Sequence, residues 1–325
     1  MSTDETVRAE TVRTIDQKGE YNFVFSSYSE PVARVTPGEE IILRTEDAFM
    51  GLLQSEKDDL DEIKKKRRGP NPQTGPIYIE GAKAGDTLKV HIIGIEPARD
   101  WAVSCVQKAF GGLTPNKYTR MINVSLHEKV WIYRFDKDAG LCGTPMLRHD
   151  DFLRFPWKPF LGTIATAPDM EAVSTLTPFE NGGNMDCPDV KPGNIVYLPV
   201  TVDGAYFFTG DCHACQGEGE LCGTALEISA NVKLKFEIIK GKKISWPRIE
   251  SPEEYMVVGS ARPMEDAARI AYAELIEWMA EFGWDRLDAY QALTQAGKLY
   301  CANMVDTNYS MVAKVSKSLA ERRAY

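Results

Sequence analysis

An aspartate and a histidine stand two residues apart in a glycine-rich stretch, at Asp211 and His213. In an extended segment, alternate side chains face the same side, so this carboxylate and this imidazole would point the same way. Such a pair can hold a divalent metal ion or act as a general-base dyad. Gly210, Gly217 and Gly219 would let the backbone approach a small site closely. The alternative interpretation is a glycine-rich loop with a capping aspartate and a surface histidine.

Three further carboxylates follow within a short span, at Glu218, Glu220 and Glu227. Crowded acidic groups beside an apolar strand are costly unless a positive charge lies among them. A divalent cation is the simplest candidate for that charge.

A second polar cluster precedes the first and is separated from it by one predicted strand. Asn181, Asn184 and Asp186 flank the pair Gly182-Gly183. The spacing suits two loops that meet on one side of a sheet. By itself the cluster is more typical of a tight turn, where Asn and Asp tolerate unusual backbone angles.

The chain has seven cysteines, an odd number that does not favour a disulfide framework. Cys212 and Cys215 flank His213, but a structural zinc site would need a second Cys/His pair at similar spacing. A nucleophilic cysteine beside His213 is a rival hypothesis. Buried, unreactive thiols are the commonest alternative.

Composition narrows the class of protein. The 325 residues carry a formal charge of -9, which does not favour nucleic acid or an anionic membrane as a partner. No apolar run reaches the ~18 residues that a membrane span needs. The first residues are polar and acidic, unlike a signal peptide, and we therefore expect a cytoplasmic protein.

The elements that must position these residues are mostly strands. Alternating apolar residues and Pro-Gly or Ala-Gly turns predict strands before residue 95 and again at 190–200 and 228–239, while residues 95–185 read as loop-rich. Helical spacing begins near residue 264 and again at 286, and a strand is predicted at 300–305. We predict a mainly β protein with a β-sandwich or barrel core and an α+β C-terminal part. Its expected parts are an N-terminal arm (1–20), read as a loose segment or a first edge strand, a β-rich core that carries the site (21–250) and a C-terminal part packed on that core (251–325).

The two polar clusters together resemble the acetamidase/formamidase family of amidohydrolases. The matching residues are Gly182-Gly183-Asn184-Met185-Asp186, then Gly193, Pro199-Val200, Gly204-Ala205, the run Gly210 to Glu220, and Glu227. Residues 74–86, 160–168, 268–278 and 288–290 are similar to other blocks of that family. The resemblance covers most of the chain from about residue 25 onward.

The resemblance implies a β-rich homo-oligomer that uses a divalent metal to hydrolyse a short amide to a carboxylic acid and ammonia. The metal ligands that it suggests are Asp186, Asp211, His213 and Glu227, with zinc as the ion and calcium as the alternative. The same resemblance suggests catalytic roles for Asp211 and His213, a general base at Glu80 or Glu220, and substrate contacts from Asn184, Gln216 and Gly217. Backbone N–H groups of the glycine-rich turns could stabilise the oxyanion.

The chain also departs from the family pattern. Many members carry a histidine near the first strand block, but residues 21–24 here are Tyr-Asn-Phe-Val. Cys212 and Cys215 replace smaller residues on either side of His213. These departures keep two rivals open: a cysteine-dependent amidase, and a metal-binding or ligand-binding homologue without catalysis.

Overall fold

The computed structural model describes residues 12–113 and 127–322. Within these ranges the helices are α1 (Leu60–Lys66), α2 (Met264–Glu281), α3 (Arg286–Ala296) and α4 (Lys317–Ala320). The strands up to residue 156 are β1 (Arg13–Ile15), β2 (Val24–Phe25), β3 (Ala33–Val35), β4 (Glu40–Thr45), β5 (Gln73–Ile79), β6 (Thr87–Pro97), β7 (Trp101–Val106), β8 (Lys129–Asp136), β9 (Leu141–Pro145) and β10 (Phe152–Pro156). The later strands are β11 (Phe160–Thr166), β12 (Val173–Ser174), β13 (Gly182–Asn184), β14 (Ile195–Pro199), β15 (Phe207–His213), β16 (Glu227–Ile228), β17 (Ala230–Ile239), β18 (Arg248–Glu250), β19 (Glu254–Ala261), β20 (Lys298–Asn303) and β21 (Tyr309–Ser316).

Two large sheets account for most of the strands. The nine-stranded sheet has the order β1-β4-β17-β6-β14-β18-β19-β21-β20. The ten-stranded sheet has the order β10-β9-β8-β7-β16-β15-β11-β13, with β5 paired to β15 and β3 paired to β5. One apolar core contains side chains from both sheets, among them Leu88 and Phe236 of the first and Ile77 and Phe207 of the second. The predicted β-sandwich core is confirmed, since two sheets bury their inner faces against each other.

Alternating side chains explain how β17 joins this sandwich. Val232, Leu234 and Phe236 are fully buried, whereas Lys233 and Lys235 between them keep part of their surface in water. This alternation gives β17 one dry and one wet face, as the sequence predicted. Antiparallel pairing with β4 and β6 fixes its register in the sheet.

The C-terminal helices cover one end of the nine-stranded sheet. The side chains of Leu275 and Trp278 on α2 pack against Tyr255 and Val257 of β19. The predicted mainly β fold with helices near the C-terminus is confirmed.

No helix within the described ranges is long and apolar enough to cross a membrane.

The expectation of a loop-rich middle is wrong. Residues 95–185 contain β7 to β13, and most of these strands belong to the ten-stranded sheet. Short strands that end in glycine or proline, such as β9 and β10, give too little alternation to be told from loops. The strand predicted at 300–305 begins and ends two residues earlier, and part of the predicted N-terminal arm is β1, which pairs in parallel with β4. Residues 1–11 of that arm lie outside the described ranges.

Candidate metal centre and substrate cavity

The centre of the site forms where β15 changes partners. One edge of β15 pairs with β5 up to Gly210 and with β16 from Cys212 onward, so Asp211 lies at the break. On the other edge, Leu161 of β11 pairs with Cys212 and Thr163 pairs with Gly210. Asp211 is thus the residue at which the ladder is interrupted, and its backbone adopts a left-handed conformation with φ of 53°.

Gly162 of β11 lies against three of the site groups. A Cβ atom at this position would come within 2.7 Å of the Asp186 Oδ1 atom, the Asp211 carbonyl oxygen and the His213 Cε1 atom. The Gly162 carbonyl also accepts a hydrogen bond of 3.0 Å from the Asp186 backbone N–H. The absence of a side chain at Gly162 therefore permits these groups to converge.

His213 is the buried histidine of this centre, with 1% of its surface exposed. Its Nε2 atom lies 3.6 Å from Oδ1 of Asp211 and 3.4 Å from Oε2 of Glu227. Neither ring nitrogen has a hydrogen-bond partner in the described part of the chain. The Phe160 ring packs edge-on against the imidazole at 4.9 Å and fixes its plane. A buried imidazole without a partner needs an explanation, because buried polar atoms are nearly always satisfied.

Two groups of potential ligands share His213. One group is Asp186, His213 and Glu220, and the other is Asp211, His213 and Glu227; within each, the ligand atoms lie within 4.8 Å of one another. The side chains of all five residues are buried. Asp186 Oδ1 and Glu227 Oε2, which belong to these groups, also lack hydrogen-bond partners among the described residues.

The residues present fit a divalent metal ion. Two ligands at about 2.1 Å from a tetrahedral ion lie roughly 3.4 Å apart, which is close to the spacings of His213 to Asp211 and Glu227. Nitrogen and carboxylate ligands suit zinc, whereas a set richer in oxygen would suit calcium. The donor atoms already lie close together on buried side chains, as a resident ion would require.

Burial and mutual repulsion raise the pKa values of the acidic residues here. Burial, with the charges of Glu220 and Asp306, raises the pKa of Asp186 well above its usual value. Burial also raises the pKa of Glu220 well above its usual value, although His213 opposes the shift. Burial raises the pKa of Glu227 to about 7 and that of Asp306 to about 6. Burial would lower the pKa of His213, but the nearby carboxylates of Glu227 and Asp211 raise it well above its usual value. Perturbations of this kind are typical of functional sites.

The backbone at the site is strained at several residues other than glycine. Asn71, Asp186, Asp211 and Glu220 all have positive φ values, between 40° and 53°. Each such residue costs about 1–3 kcal/mol and persists only where the surrounding structure enforces it. Three of the four are carboxylates of the centre, so the strain coincides with the placement of its acidic groups.

The Asn184 side chain organises the centre. Its Oδ1 atom accepts hydrogen bonds from Asn71 at 2.9 Å and from Thr163 at 2.5 Å. Its Nδ2 atom donates to Asp186 at 3.0 Å and to Asp306 at 2.5 Å. The amide hydrogens and the oxygen are all engaged, so this side chain acts by positioning its neighbours.

Three site residues were missed by the sequence analysis: Asn71, Asn303 and Asp306. Asn71 donates a hydrogen bond of 3.0 Å to Asp211 Oδ2, and Asn303 donates to Asp186 and Asp306. Asn71 stood in a Gly-Pro-Asn-Pro turn, and the other two stood in and after a predicted C-terminal strand. Nothing in their local spacing pointed to the centre. The one available signal was the clustering of polar residues directly after an apolar strand.

A cavity of about 290 Å³ opens above the centre. Its acidic lining consists of Asp211, Glu220, Glu227 and Asp306, and Asn71 and Asn184 contribute further polar groups. Phe49, Phe110 and Leu176 supply apolar walls. The carboxylates are therefore accessible to a small molecule, whereas His213 lies behind them.

The remaining predicted site residues fall in different places. Glu80 lies outside the centre: its Oε1 atom is 3.1 Å from Arg34 at the surface. Because Gln73 pairs with Gly210 and Glu80 lies seven residues further along the chain, roughly 23 Å separates Glu80 from the centre. Gly217 is exposed and does not line the cavity. Glu218, which the sequence placed beside the cluster, is also exposed.

Gln216 connects the centre to the C-terminal part. Its Nε2 atom donates to the carbonyls of Asp186 at 2.8 Å and Ala302 at 3.1 Å. Its Oε1 atom is buried without a hydrogen-bond partner in the described part of the chain. Gln216 is not among the residues that line the cavity. It therefore fixes the segment that carries Glu220.

The cysteines beside His213 lie in unreactive surroundings. Cys212 is fully buried in the shared core, with its Sγ atom 3.3 Å from Thr45 Oγ1, and burial raises its pKa to about 12. Burial also raises the pKa of the half-buried Cys215. Neither ligand group in the described ranges includes a cysteine. Reactive cysteines require a lowered pKa, so these thiols do not suit nucleophilic catalysis.

Comparisons with known proteins agree over most of the chain. A model of the Acetamidase/Formamidase family matches residues 13–175 and 160–315. The chain is 26% identical to an acetamidase of Mycolicibacterium smegmatis over 331 aligned residues, which cover 84% of this chain and 78% of that protein.

Solved structures extend the likeness to three dimensions. The crystal structure of an acetamidase from Yersinia enterocolitica superposes with a TM-score of 0.88 at 40% identity, covering 97% of this chain and 94% of that chain. The crystal structure of an acetamidase from Bacillus halodurans superposes with a TM-score of 0.84 at 28% identity, covering 94% of this chain and 98% of that chain.

Proposed function

The chain belongs to the acetamidase/formamidase family and hydrolyses short linear amides, and from that premise we propose that it does so with a divalent metal ion held at His213. The resemblance between its two polar clusters and this family is thereby confirmed. One observation carries the metal proposal: His213 is buried, both its ring nitrogens lack hydrogen-bond partners among residues 12–113 and 127–322, and Asp211 and Glu227 face its Nε2 atom.

In this proposal Asp211, His213 and Glu227 hold the ion. When bound there, a divalent ion polarises the amide carbonyl and activates water for attack. Asp211 and Glu227 line the cavity, so the amide reaches the centre from the side of these carboxylates. Asp186 and Glu220 form the second ligand group around the same imidazole. A measured metal content of one ion per chain would leave those two carboxyl groups available for proton transfer.

Glu220 is the proposed proton carrier. It lines the cavity and is buried, and burial raises its pKa well above its usual value. Glu220 takes a proton from water as the water oxygen bonds to the carbonyl carbon, and it returns that proton to the nitrogen as the C–N bond breaks. The products are a carboxylic acid and ammonia. Glu80 has no part in this scheme, because it lies at the surface.

Zinc is the proposed ion because a histidine and carboxylates at this spacing match its preferred ligands. Calcium is the alternative if Asp186 and Glu220 add oxygen ligands. The family resemblance also leads us to propose a homo-oligomer, which light scattering on the purified protein would test.

The decisive experiment combines elemental analysis with ammonia release. Purified protein is assayed for bound zinc and calcium and then incubated with formamide, acetamide and longer linear amides. The proposal expects one to two ions per chain and ammonia release that a chelator abolishes and zinc restores. Ammonia release by chelated, metal-free protein at the full rate would overturn the metal proposal. Metal binding without ammonia release from any amide would instead favour the non-catalytic homologue.

A further inference from the structure

The cavity above the centre carries both signs of charge. Its acidic residues include the proposed ligands Asp211 and Glu227, and Lys64, Arg67 and Lys108 contribute cations to its lining. At ~30 Å³ for each water molecule, a volume of about 290 Å³ holds roughly ten waters. Formamide or acetamide would fill only a fraction of this space. The cavity therefore has room for an amide with a longer acyl chain and a second polar group.

Arg67 is a cation without a compensating anion in the described part of the chain. Its side chain makes no hydrogen bond and no ion pair there, and its Nε atom is buried without a partner. The guanidinium lies over the Phe49 ring, with 5.1 Å from the guanidinium carbon to the ring centre. Burial lowers the pKa of Arg67, although negative groups including Asp47 and Asp211 oppose that shift. The Nε–H donor of this half-buried side chain has lost water without gaining an acceptor in the described residues, which is costly, and the guanidinium belongs to the cavity lining.

The backbone holds this side chain in place. Arg67 caps the C-terminal end of α1, where its backbone N–H donates to the Ile63 carbonyl at 3.1 Å. Asp59 caps the other end of α1 by accepting from two backbone N–H groups. The guanidinium thus projects from a defined turn of helix into the cavity lining.

Two of the anions near Arg67, Asp47 and Asp211, already have partners. Asp47 forms an ion pair with Arg99, and the Asp211 Oδ2 atom accepts hydrogen bonds from Asn71 and Thr163. Lys64, the other cation of the same helix, lies 3.9 Å from both Asp61 and Glu128. Among the described residues, Lys64 and Asp47 therefore have oppositely charged neighbours, whereas the guanidinium of Arg67 forms no ion pair.

We propose that Arg67 binds a carboxylate on the substrate, so that the preferred substrates are linear amides whose acyl chain ends in a second, anionic carboxylate. This proposal rests on the amidase function proposed above and names its substrate class. The planar guanidinium matches a carboxylate in a bidentate pair, which adds both energy and geometric selection. An amide with a neutral end would leave the Arg67 guanidinium without an anionic partner, and sites built to bond a polar group reject analogues that lack it.

The test measures kcat/KM on matched pairs of amides. Each pair has one acyl chain length and ends either in a carboxylate or in a methyl group: succinamate with butyramide, glutaramate with valeramide, and adipamate with hexanamide. The metal-loaded wild-type protein is expected to prefer the carboxylate member of at least one pair by roughly 10- to 100-fold. Arg67→Met should remove that preference, and Arg67→Lys should retain only part of it, because an ammonium lacks the planar fork.

Arg68→Met is the matched control. Arg68 is exposed next to Arg67, does not line the cavity and carries the same charge. Its loss should leave the preference intact, which separates a local contact from the general field of the protein. A second measurement uses inhibition by glutarate and by butyrate. Glutarate should inhibit the wild type more strongly, and this difference should disappear in Arg67→Met.

The outcomes separate this inference from the amidase proposal. Equal rates on both members of every pair in the wild type would overturn the inference while leaving the amidase function intact. An equal loss on both members in Arg67→Met would also overturn it, since Arg67 would then act on the reacting amide or on folding. Absence of ammonia release from every amide by metal-loaded wild type would overturn the proposed function itself.

Discussion

The Nε2 atom of His213 lies 3.4 Å from the Oε2 atom of Glu227, and neither atom has a hydrogen-bond partner in the described part of the chain. Asp211 approaches the same nitrogen at 3.6 Å. Three buried groups that can each bind a cation therefore meet around one imidazole. Their arrangement is costly by itself and becomes favourable once a cation lies among them.

Substitution of these ligands should remove the metal and the activity together. We expect His213→Ala and Glu227→Gln each to lower zinc content and to reduce amide hydrolysis roughly 100-fold or more. Loss of a residue that only hydrogen-bonds a metal ligand costs about 10- to 100-fold in metal affinity or activity, and loss of a ligand itself should cost more. Metal content by elemental analysis and ammonia release measure the two effects. The control is His91→Ala, since His91 pairs with Glu237 on the other sheet. Full metal content and full activity in His213→Ala would refute the assignment.

The metal-free protein should lose stability as the pH rises. Burial raises the pKa of Glu227 from 4.5 to about 7 and that of Asp306 from 3.8 to about 6. A folded-state pKa above the unfolded value gives stability that is fully present below the unfolded pKa and is lost as pH rises through the folded pKa. The raised pKa of His213 acts in the same direction. Chelated protein should therefore melt at a lower temperature at pH 8 than at pH 5.

Zinc should offset this loss, because the deprotonated ligands bind a cation more strongly. The stabilisation by zinc, taken as the difference in Tm between loaded and chelated protein, should grow between pH 5 and pH 8. Glu227→Gln, which stays neutral, should flatten the pH dependence of the chelated protein. A chelated protein whose Tm rises steadily over this range would contradict the expectation.

Gly162 should not tolerate a methyl group. Gly162→Ala would bring Cβ within 2.7 Å of groups of Asp186, Asp211 and His213, so the centre must shift. We expect amide hydrolysis to fall about 100-fold, since misplacement by about 1 Å can cost that much, and unfolding to become easier by about 1–3 kcal/mol. Gly94→Ala is the matched control, because a Cβ atom there meets nothing within 4 Å. Similar activity in the two variants would show that the close approach is unimportant.

The cysteines beside His213 should be dispensable for catalysis. Cys212 has a pKa raised by burial to about 12, and burial raises the pKa of Cys215, so neither supplies a thiolate at neutral pH. We expect Cys215→Ser to keep activity within about threefold and Cys212→Ala to cost stability of about 1–2 kcal/mol through lost packing. Ammonia release after treatment with a thiol-alkylating reagent provides a second readout. Complete inactivation of Cys215→Ser with its metal retained would revive the cysteine-dependent amidase.

The sequence by itself determined the residues at the heart of the site. Asp211 and His213 two residues apart, a second cluster ending in Asp186, and Glu227 after the glycine-rich run were all visible as chemistry-bearing types at close spacing. Alternating apolar residues also predicted β17 and the C-terminal helices. These features are local, because side-chain periodicity and turn chemistry depend on neighbouring residues in the chain.

Only the tertiary structure decided which polar residues join that centre. Asp306 reaches Asn184 from 122 positions away, and Asn71 reaches Asp211 from 140 positions away. Glu80 was expected in the centre and lies at the surface, because the register of β5 carries it away from Asp211. Strand register and the change of partners along β15 are long-range choices that the packing of two whole sheets determines. Local sequence therefore predicted the kind of chemistry, whereas the pairing of distant strands selected its participants.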